Sequence, residues 1–381
     1  MYERDRSVVR PKWVLFKALL LFGAANLLFA FFVSEPAGLL IFRQARRFPP
    51  IWQPALTVQG RMGFQRFLTA DIDLLFKSHT ISSHPKTEDE YRVVLIGDSS
   101  TWGVILKPED TLEARINAWQ LHTCAGQRVV VYNLGYPFTS GVKDLLLMAE
   151  AIKYEPDLII WPFTLLGFTA ERQEIDIINR NPARARALVD HYHLPLLNAK
   201  VLSADTRPTF WQRTLIGQRR TLSLVVKLNL SRIASLAMGT DEIRDYAGRR
   251  KIYQQQAGED LQFLEISPPA ELSGYANLNY LQVAQEIAGA TPVLYVNQPI
   301  CIQPSKTGVR YNLHYPRWAY DQYRTALTAQ AAENHLYYLD LWDLVPPTEF
   351  TNTVFHRTPA GEQMMAEVLA KHILAIACQQ H

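Results

Sequence analysis

The amino-acid sequence predicts an α/β protein: a five-stranded, doubly wound parallel sheet behind an N-terminal membrane helix, with one helical insertion. Three observations carry this reading. Five short apolar runs are continuous rather than alternating, as strands buried on both faces of a parallel sheet are. Helical patterns lie between them, and strand–helix alternation implies helices on both sides of the sheet. Near the N-terminus, Trp13–Val33 is apolar except for Lys17 and Asn26.

In chain order, residues 1–12 form a cytoplasmic tail and residues 13–33 an anchor. As a helix those 21 residues would span about 31 Å, one bilayer core. Lys17 sits one turn in and can snorkel. A cleaved signal peptide is the rival reading, but the run is long for one and no clear A-x-A site follows. Arg4, Arg6, Arg10, Lys12 and Lys17 form a nearer and larger positive cluster than Arg43, Arg46 and Arg47. That places the N-terminus in the cytoplasm and the rest of the chain outside. Residues 34–90 read as a juxtamembrane connector, with Pro36, Pro49, Pro50 and Pro54 breaking its early part.

The α/β domain covers 91–381. Its strands are Arg92–Ile96, Arg128–Leu134, Asp157–Phe163, Pro292–Asn297 and Leu336–Leu341. Helices are predicted at Thr111–Gln120, Val142–Lys153, Ala270–Ala288, Arg317–Asn334 and Pro359–Ala377. The gap at about 170–270 is the insertion, helical and basic. Within it, Arg213–Met238 reads either as a cap helix on the sheet or as a helix at the membrane surface or against a membrane partner.

Composition removes several classes. Hydrophobic residues at 48% and charged residues at 20% exclude dominant disorder. A net charge of +3 without a long basic run gives no nucleic-acid footprint. Cys124, Cys301 and Cys378 form no CxxC pair and no even-numbered framework, so neither a disulfide scaffold nor a Cys-rich zinc site is expected. There is no Walker A or G-x-G-x-x-G loop. His191 and His193 lack a clear third ligand. No metal and no cofactor is therefore expected.

Ligands of such a sheet bind beyond the C-terminal ends of its strands. The first strand ends in Gly97-Asp98-Ser99-Ser100-Thr101-Trp102-Gly103. A Gly-x-Ser turn between strand and helix can expose a hydroxyl and aim backbone N–H groups at one point, as a serine nucleophile requires; Gly-Asp-Ser is also an ordinary turn. After the second strand, Gly135 lets a backbone N–H approach a bound oxygen. His356 lies just before Thr358 and Pro359, a good N-cap and first helical residue. Placed at the same edge as Ser99, it is a candidate general base. Asn297, then Arg310, Tyr311 and Asn312, form a polar-aromatic cluster that could bind a substrate sugar or acyl-carrier group, or simply pack on the sheet.

VVLIGDSSTWG, NLGYP and FTNTVFHRTPAG together resemble the SGNH (GDSL-type) hydrolase family over roughly 90–170 and 290–381. The resemblance implies a flavodoxin-like three-layer sandwich, strand order 2-1-3-4-5 and serine ester chemistry. It assigns Ser99 as nucleophile, His356 as base, and the N–H groups of Ser99 and Gly135 to the oxyanion hole. Two positions depart from the pattern. The third strand ends without the family's Asn, leaving Thr164 as a substitute. The family's Asp three residues before the His is Thr353 here, with Asn352 one further back. Asn can orient a neutral His but cannot balance an imidazolium charge. Glu349, Asp340 and Asp343 are reserve acids.

A membrane anchor followed by such a domain is similar in layout to the D-alanine-transfer proteins of teichoic-acid biosynthesis and to SGNH-like polysaccharide O-acetylation proteins. Those systems work with membrane-bound O-acyltransferases. The layout implies a serine esterase or O-acyltransferase acting on an acylated cell-envelope glycan or lipid-linked substrate. The alternative is a catalytically degenerate domain that binds glycan or docks a membrane partner.

Overall fold

Five strands form where the apolar runs lie. The computed structural model describes residues 10–32, 70, 72–104, 106–173, 176–194, 210–220, 222–223, 230 and 251–380. The chain divides into two compact units, 1–54 with 205–234, and 55–204 with 235–381.

The first unit contains α1 (Pro11–Phe32), long and apolar enough to cross a membrane. Its circumference is open: Leu15, Leu21 and Phe31 are 62%, 68% and 74% exposed. A core helix of a water-soluble domain would bury such residues. Its one deep polar residue, Asn26, is buried and bonded. The Asn26 amide donates to the Phe22 carbonyl (2.9 Å) and Asn26 Oδ1 accepts from the Ile216 N–H (3.1 Å). The Phe31 ring meets Phe210, which opens a helical turn at Phe210–Arg213. Of the predicted Arg213–Met238 helix, most residues lie outside those described. Within the part that is described, Ile216 bonds to α1 through Asn26.

The second unit holds α2 (Ile72–Ser78), β1 (Glu90–Leu95), α3 (Leu112–Ala118), β2 (Arg128–Asn133), α4 (Gly141–Ala151) and β3 (Leu158–Phe163). After these come α5 (Pro182–Tyr192), α6 (Tyr280–Ala288), β4 (Val293–Asn297), α7 (Arg317–Glu333), β5 (Tyr337–Asp340) and α8 (Pro359–Gln379). All strands pair in parallel, in the order β2-β1-β3-β4-β5. The central strands β1, β3 and β4 are buried at every residue, while β2 and β5 are partly exposed as edges. Continuous apolar runs mark the former for this reason: each residue faces a layer of helices on one side or the other.

Alternation along each strand sorts the two faces. Val94, Ile159 and Tyr295 pack with α2, α4, α6 and α7. Val93, Leu95, Ile160 and Leu294 pack with α3 and α8. The result is the predicted three-layer sandwich. One helix falls short of its prediction: of Ala270–Ala288 only Tyr280–Ala288 is helical. Leu272–Gly274 is a 3₁₀ turn, and the Asn277 side chain accepts from the Asn279 N–H (3.1 Å), a local turn that competes with the helix.

A Cys124–Cys378 disulfide, Cα–Cα 5.3 Å, joins the turn before β2 to the last turn of α8. The spacing of three cysteines gave no signal of it. Cys301 is free and buried.

Candidate active site

Parallel strands bring all their C-terminal ends to one edge, so residues far apart in sequence meet there. At the end of β1 the chain turns at Gly97 and enters a helical turn, Ser99–Trp102, capped by Asp98. Asp98 Oδ1 accepts from the Ser100 N–H (2.9 Å) and from the Ser100 hydroxyl (2.6 Å). Ser99 thereby takes the first helical position, where the N–H has no intrahelical acceptor. That leaves this N–H suited to an oxyanion.

From the other end of the domain, the segment after β5 folds back on itself. Thr351 N–H donates to the His356 carbonyl (2.9 Å), and Phe350 bridges Arg357. Thr353, at the family's acid position, instead turns the loop: its Oγ1 accepts from the His356 N–H (3.1 Å). This extra turn brings Asn352 round to the imidazole. His356 Nε2 lies 2.9 Å from Ser99 Oγ, and His356 Nδ1 lies 2.9 Å from Asn352 Oδ1. With the amide oxygen facing it, Nδ1 carries the proton, and Nε2 is left to accept from the serine hydroxyl. Two of the reserve acids are bonded elsewhere. Asp340 receives Arg324 (2.7 Å) and the Asn297 amide (2.8 Å), and Glu349 receives the Thr358 hydroxyl.

Right after His356, Arg357 and Glu362 form a fully buried ion pair (3.0 Å). Burial pushes the Glu362 carboxyl up, and Arg357 offsets part of that. Thr358 caps α8, accepting from the Gly361 N–H (3.2 Å). Cap and ion pair together fix where the imidazole stands.

The predicted oxyanion donors divide. Gly135 is pressed against the Ser99–Trp102 turn: an added Cβ would stand 2.7 Å from the Trp102 nitrogen, so only glycine fits. Its N–H, however, donates to Asn133 Oδ1 (3.0 Å). Thr164 is fully buried and its hydroxyl pairs with the Tyr315 hydroxyl (2.9 Å). That pairing turns it into the core and away from the role of replacing the family's Asn.

The proposed substrate cluster is also scaffold. Asn297 is fully buried between Asp340 and the hydroxyls of Tyr320 and Tyr323. Arg310 is spent on Asp260 (2.8 Å) and on the carbonyls of Gln262, Asn312 and Leu313. Tyr311 donates to Asp321 (2.8 Å), and Asn312 ties the Cys301 carbonyl to the His314 and Tyr315 N–H groups. These polar groups are buried because they satisfy one another. Among the described residues no group of three or more His, Cys, Asp or Glu could hold a metal.

Sequence reasoning missed the support beneath Ser99. Lys143, fully buried, donates to the carbonyls of Gly97 (2.7 Å) and Tyr136 (3.1 Å) and pairs with Asp144 (2.6 Å). Asp98 Oδ2 accepts from Gln298 (3.1 Å) and Thr139 (3.1 Å). Burial works to raise the Asp98 carboxyl, but the Ser100 hydroxyl, the Lys143 charge and Gln298 outweigh it and hold it below the usual carboxylate range. Asp144 goes the other way: burial pushes it up to about 6 against the pull of Lys143 and Trp161. Asn133 donates to Thr101 O (2.7 Å) and Glu113 (2.8 Å), clamping the first two loops together. Adjacent charges inside an apolar helix, Lys143-Asp144, were the available signal.

No family model matches the sequence, and no curated protein does. Among solved structures the chain is similar to an aryl esterase of M. smegmatis, at 12% identity and TM-score 0.35, over 75% of this chain and 99% of that one. It is similar to a carbohydrate acetylesterase from Sinorhizobium meliloti at 12% identity and TM-score 0.35, over 75% and 99%. An α/β hydrolase from the metagenome of Lake Arreo matches at 13% identity and TM-score 0.33, over 74% and 96%. At that distance the likenesses carry no functional argument, and the site stands on its own geometry.

Proposed function

We propose that the protein is a membrane-anchored, SGNH-type serine esterase or O-acyltransferase acting on an acylated cell-envelope glycan or lipid-linked substrate. The observation that carries this is the continuous Ser99–His356–Asn352 hydrogen-bonded chain at the strand-end edge. In the proposed reaction Ser99 Oγ attacks the ester carbonyl while His356 Nε2 takes its proton. The oxyanion forms toward the Ser99 N–H. His356 then protonates the leaving alcohol; a water or an acceptor hydroxyl, deprotonated in turn by His356, takes the acyl group, and His356 returns that proton to the departing Ser99 Oγ. Asn352 keeps Nδ1–H aimed without neutralising the imidazolium, so the nucleophile is weaker than with a carboxylate. Fixed proximity to a donor can offset this, contributing about 7–11 kcal/mol. That favours transfer alongside a membrane-bound O-acyltransferase.

The exposed apolar face of α1 supports a membrane anchor, and the Cys124–Cys378 disulfide supports a domain outside the reducing cytoplasm. Carbonate washing should leave the chain in the membrane, and protease added to spheroplasts should digest it.

The second reading, a domain that binds without turnover, is favoured by two specific observations: the Gly135 N–H is spent on Asn133 and the Thr164 hydroxyl on Tyr315. Each missing oxyanion donor typically costs ~100- to 1000-fold. Fluorophosphonate labelling and p-nitrophenyl acetate turnover, compared across wild type, Ser99→Ala and His356→Ala, separate the two. Labelling and turnover that depend on both residues support catalysis. Point variants that restore envelope acylation to a deletion strain leave the scaffold reading.

A further inference from the structure

Between Leu134 and Ser140 the loop after β2 is a buried one with a single exception. Leu134, Gly135, Tyr136, Pro137 and Ser140 are all buried and Thr139 is half-buried, yet Phe138 is 62% exposed. Its backbone is left-handed, with φ +76°. A bulky residue adopts that region only against a steric penalty, and glycine would adopt it freely. Strain of this kind persists where the surroundings over-determine it, and it clusters at ligand sites. The surroundings here are firm. Tyr136 N–H donates to the Gly97 carbonyl (2.9 Å), Lys143 holds the Tyr136 carbonyl, and the Thr139 hydroxyl donates to Asp98 (3.1 Å). Phe138 is thus raised into solvent by a loop bonded on both sides of it to Gly97 and Asp98, the two residues that precede Ser99.

The geometry points to Phe138 as the substrate-facing aromatic surface of this site, against which a sugar ring of an O-acylated glycan stacks. The inference rests on the esterase or transferase reading and names its substrate class. Two cavities are lined by described residues, and neither offers a fatty acyl chain an enclosed apolar pocket at this loop. The larger, about 850 Å³, runs along α7 past Leu272, Trp318 and Ala326. The other lies among α4, α5 and α6. Neither is lined by any residue of 97–103, 134–140 or 350–357. What this loop leaves exposed next to the Ser99 turn is the Phe138 side chain. Its negative π-cloud matches the slightly positive C–H face of a pyranose, a flat and half-wet contact.

The test uses the full chain in detergent with partially O-acetylated oligosaccharides of xylose, of mannose and of uronic acid, and with ethyl acetate, which has no ring to stack. The variants are Phe138→Gly, which relieves the left-handed backbone and so keeps the fold, and Phe138→Trp. Phe138→Gly should raise KM for at least one oligosaccharide about tenfold, leave kcat/KM for ethyl acetate within twofold, and be rescued by Phe138→Trp. Equal loss on both substrate types would make Phe138 a support of the Ser99 turn and overturn the proposal. So would an unchanged oligosaccharide KM. Calorimetric titration of Ser99→Ala with the same oligosaccharides reads binding without turnover. If no ester is turned over but Phe138→Gly on that background weakens binding tenfold, the catalytic reading fails and the stacking surface stands. Binding of none of the three oligosaccharides overturns the stacking surface.

Discussion

Two polar clusters sit at the strand-end edge, and they differ in where their hydrogen bonds end. Around Asn297, Arg310, Tyr311 and Asn312 every bond ends on a partner within the fold, two of them the exposed carboxylates of Asp260 and Asp321. At Ser99, His356 and Asn352 they form a line, and the line ends on a hydroxyl oxygen with lone pairs to spare. A closed network holds a structure; an open-ended one can give its last group to a substrate. Residue type alone does not separate the two, since the closed cluster is the richer in sugar-binding side chains.

Exchanging damage between the clusters should break this comparison if it is wrong. The largest effect expected is on Ser99→Ala: ester turnover falls about 10³-fold or more, while the thermal midpoint stays within a few degrees. Arg310→Ala should do the reverse. It leaves several buried carbonyls unpaired and should cost about 3 kcal/mol of stability by urea titration, with turnover per folded molecule nearly unchanged. Loss of turnover there without loss of stability would return Arg310 to the substrate site.

Asn352→Asp sharpens the same contrast. A carboxylate at that position balances the imidazolium, so kcat should rise, by about 10- to 100-fold, set against the ~10⁴-fold that the opposite change costs in a serine protease. The acid limb of the pH profile should move to higher pH, because the carboxylate favours the protonated ring. A flat response would mean that His356 is not the base.

The smallest effect is a slope. Asp144 titrates at about 6 in the fold against 3.8 as the reference value. The folded state therefore binds more protons than the unfolded state between these values, and the Asp144 contribution to stability falls as pH rises from about 4 to 6. Asp98 is held low, so its contribution is present above the unfolded value and is lost on acidification. Urea midpoints of Asp144→Asn should fall less steeply over pH 4–6 than those of wild type. The variant is less stable at pH 7, because Lys143 keeps its buried charge and loses its partner. An identical slope would contradict the buried, uphill Asp144.

The sheet was legible because its signal is local. A strand buried on both faces is mostly apolar along its length, so the central runs at β1, β3 and β4 announce themselves without knowledge of their neighbours. The Ser99 turn and the His356 loop were legible for a similar reason, each ending a strand or opening a capped helix. Asn352 was partly legible: the loop's extra turn, made by Thr353, depends on a side chain bonding its own backbone. Lys143, Asn133 and Gln298 were not read as supports of the site. Their roles depend on which loops the sheet brings together; only Lys143, beside Asp144 in an apolar helix, carried a local signal. The Arg310 cluster stayed open between substrate binding and packing because polar groups of either kind look alike until their partners are known.

The disulfide has a consequence for timing. Cys124 precedes β2, and Cys378 follows every strand and closes α8. The two are 254 residues apart, so an oxidising enzyme cannot join them until β2 through β5 have all been synthesised. A chain stalled earlier presents Cys124 as an open thiol, a mark by which unfinished molecules can be retained or captured as mixed disulfides. Once closed, the bond holds the last turn of α8 to the turn before β2. Closure of the bond is readable as a mobility shift on a non-reducing gel.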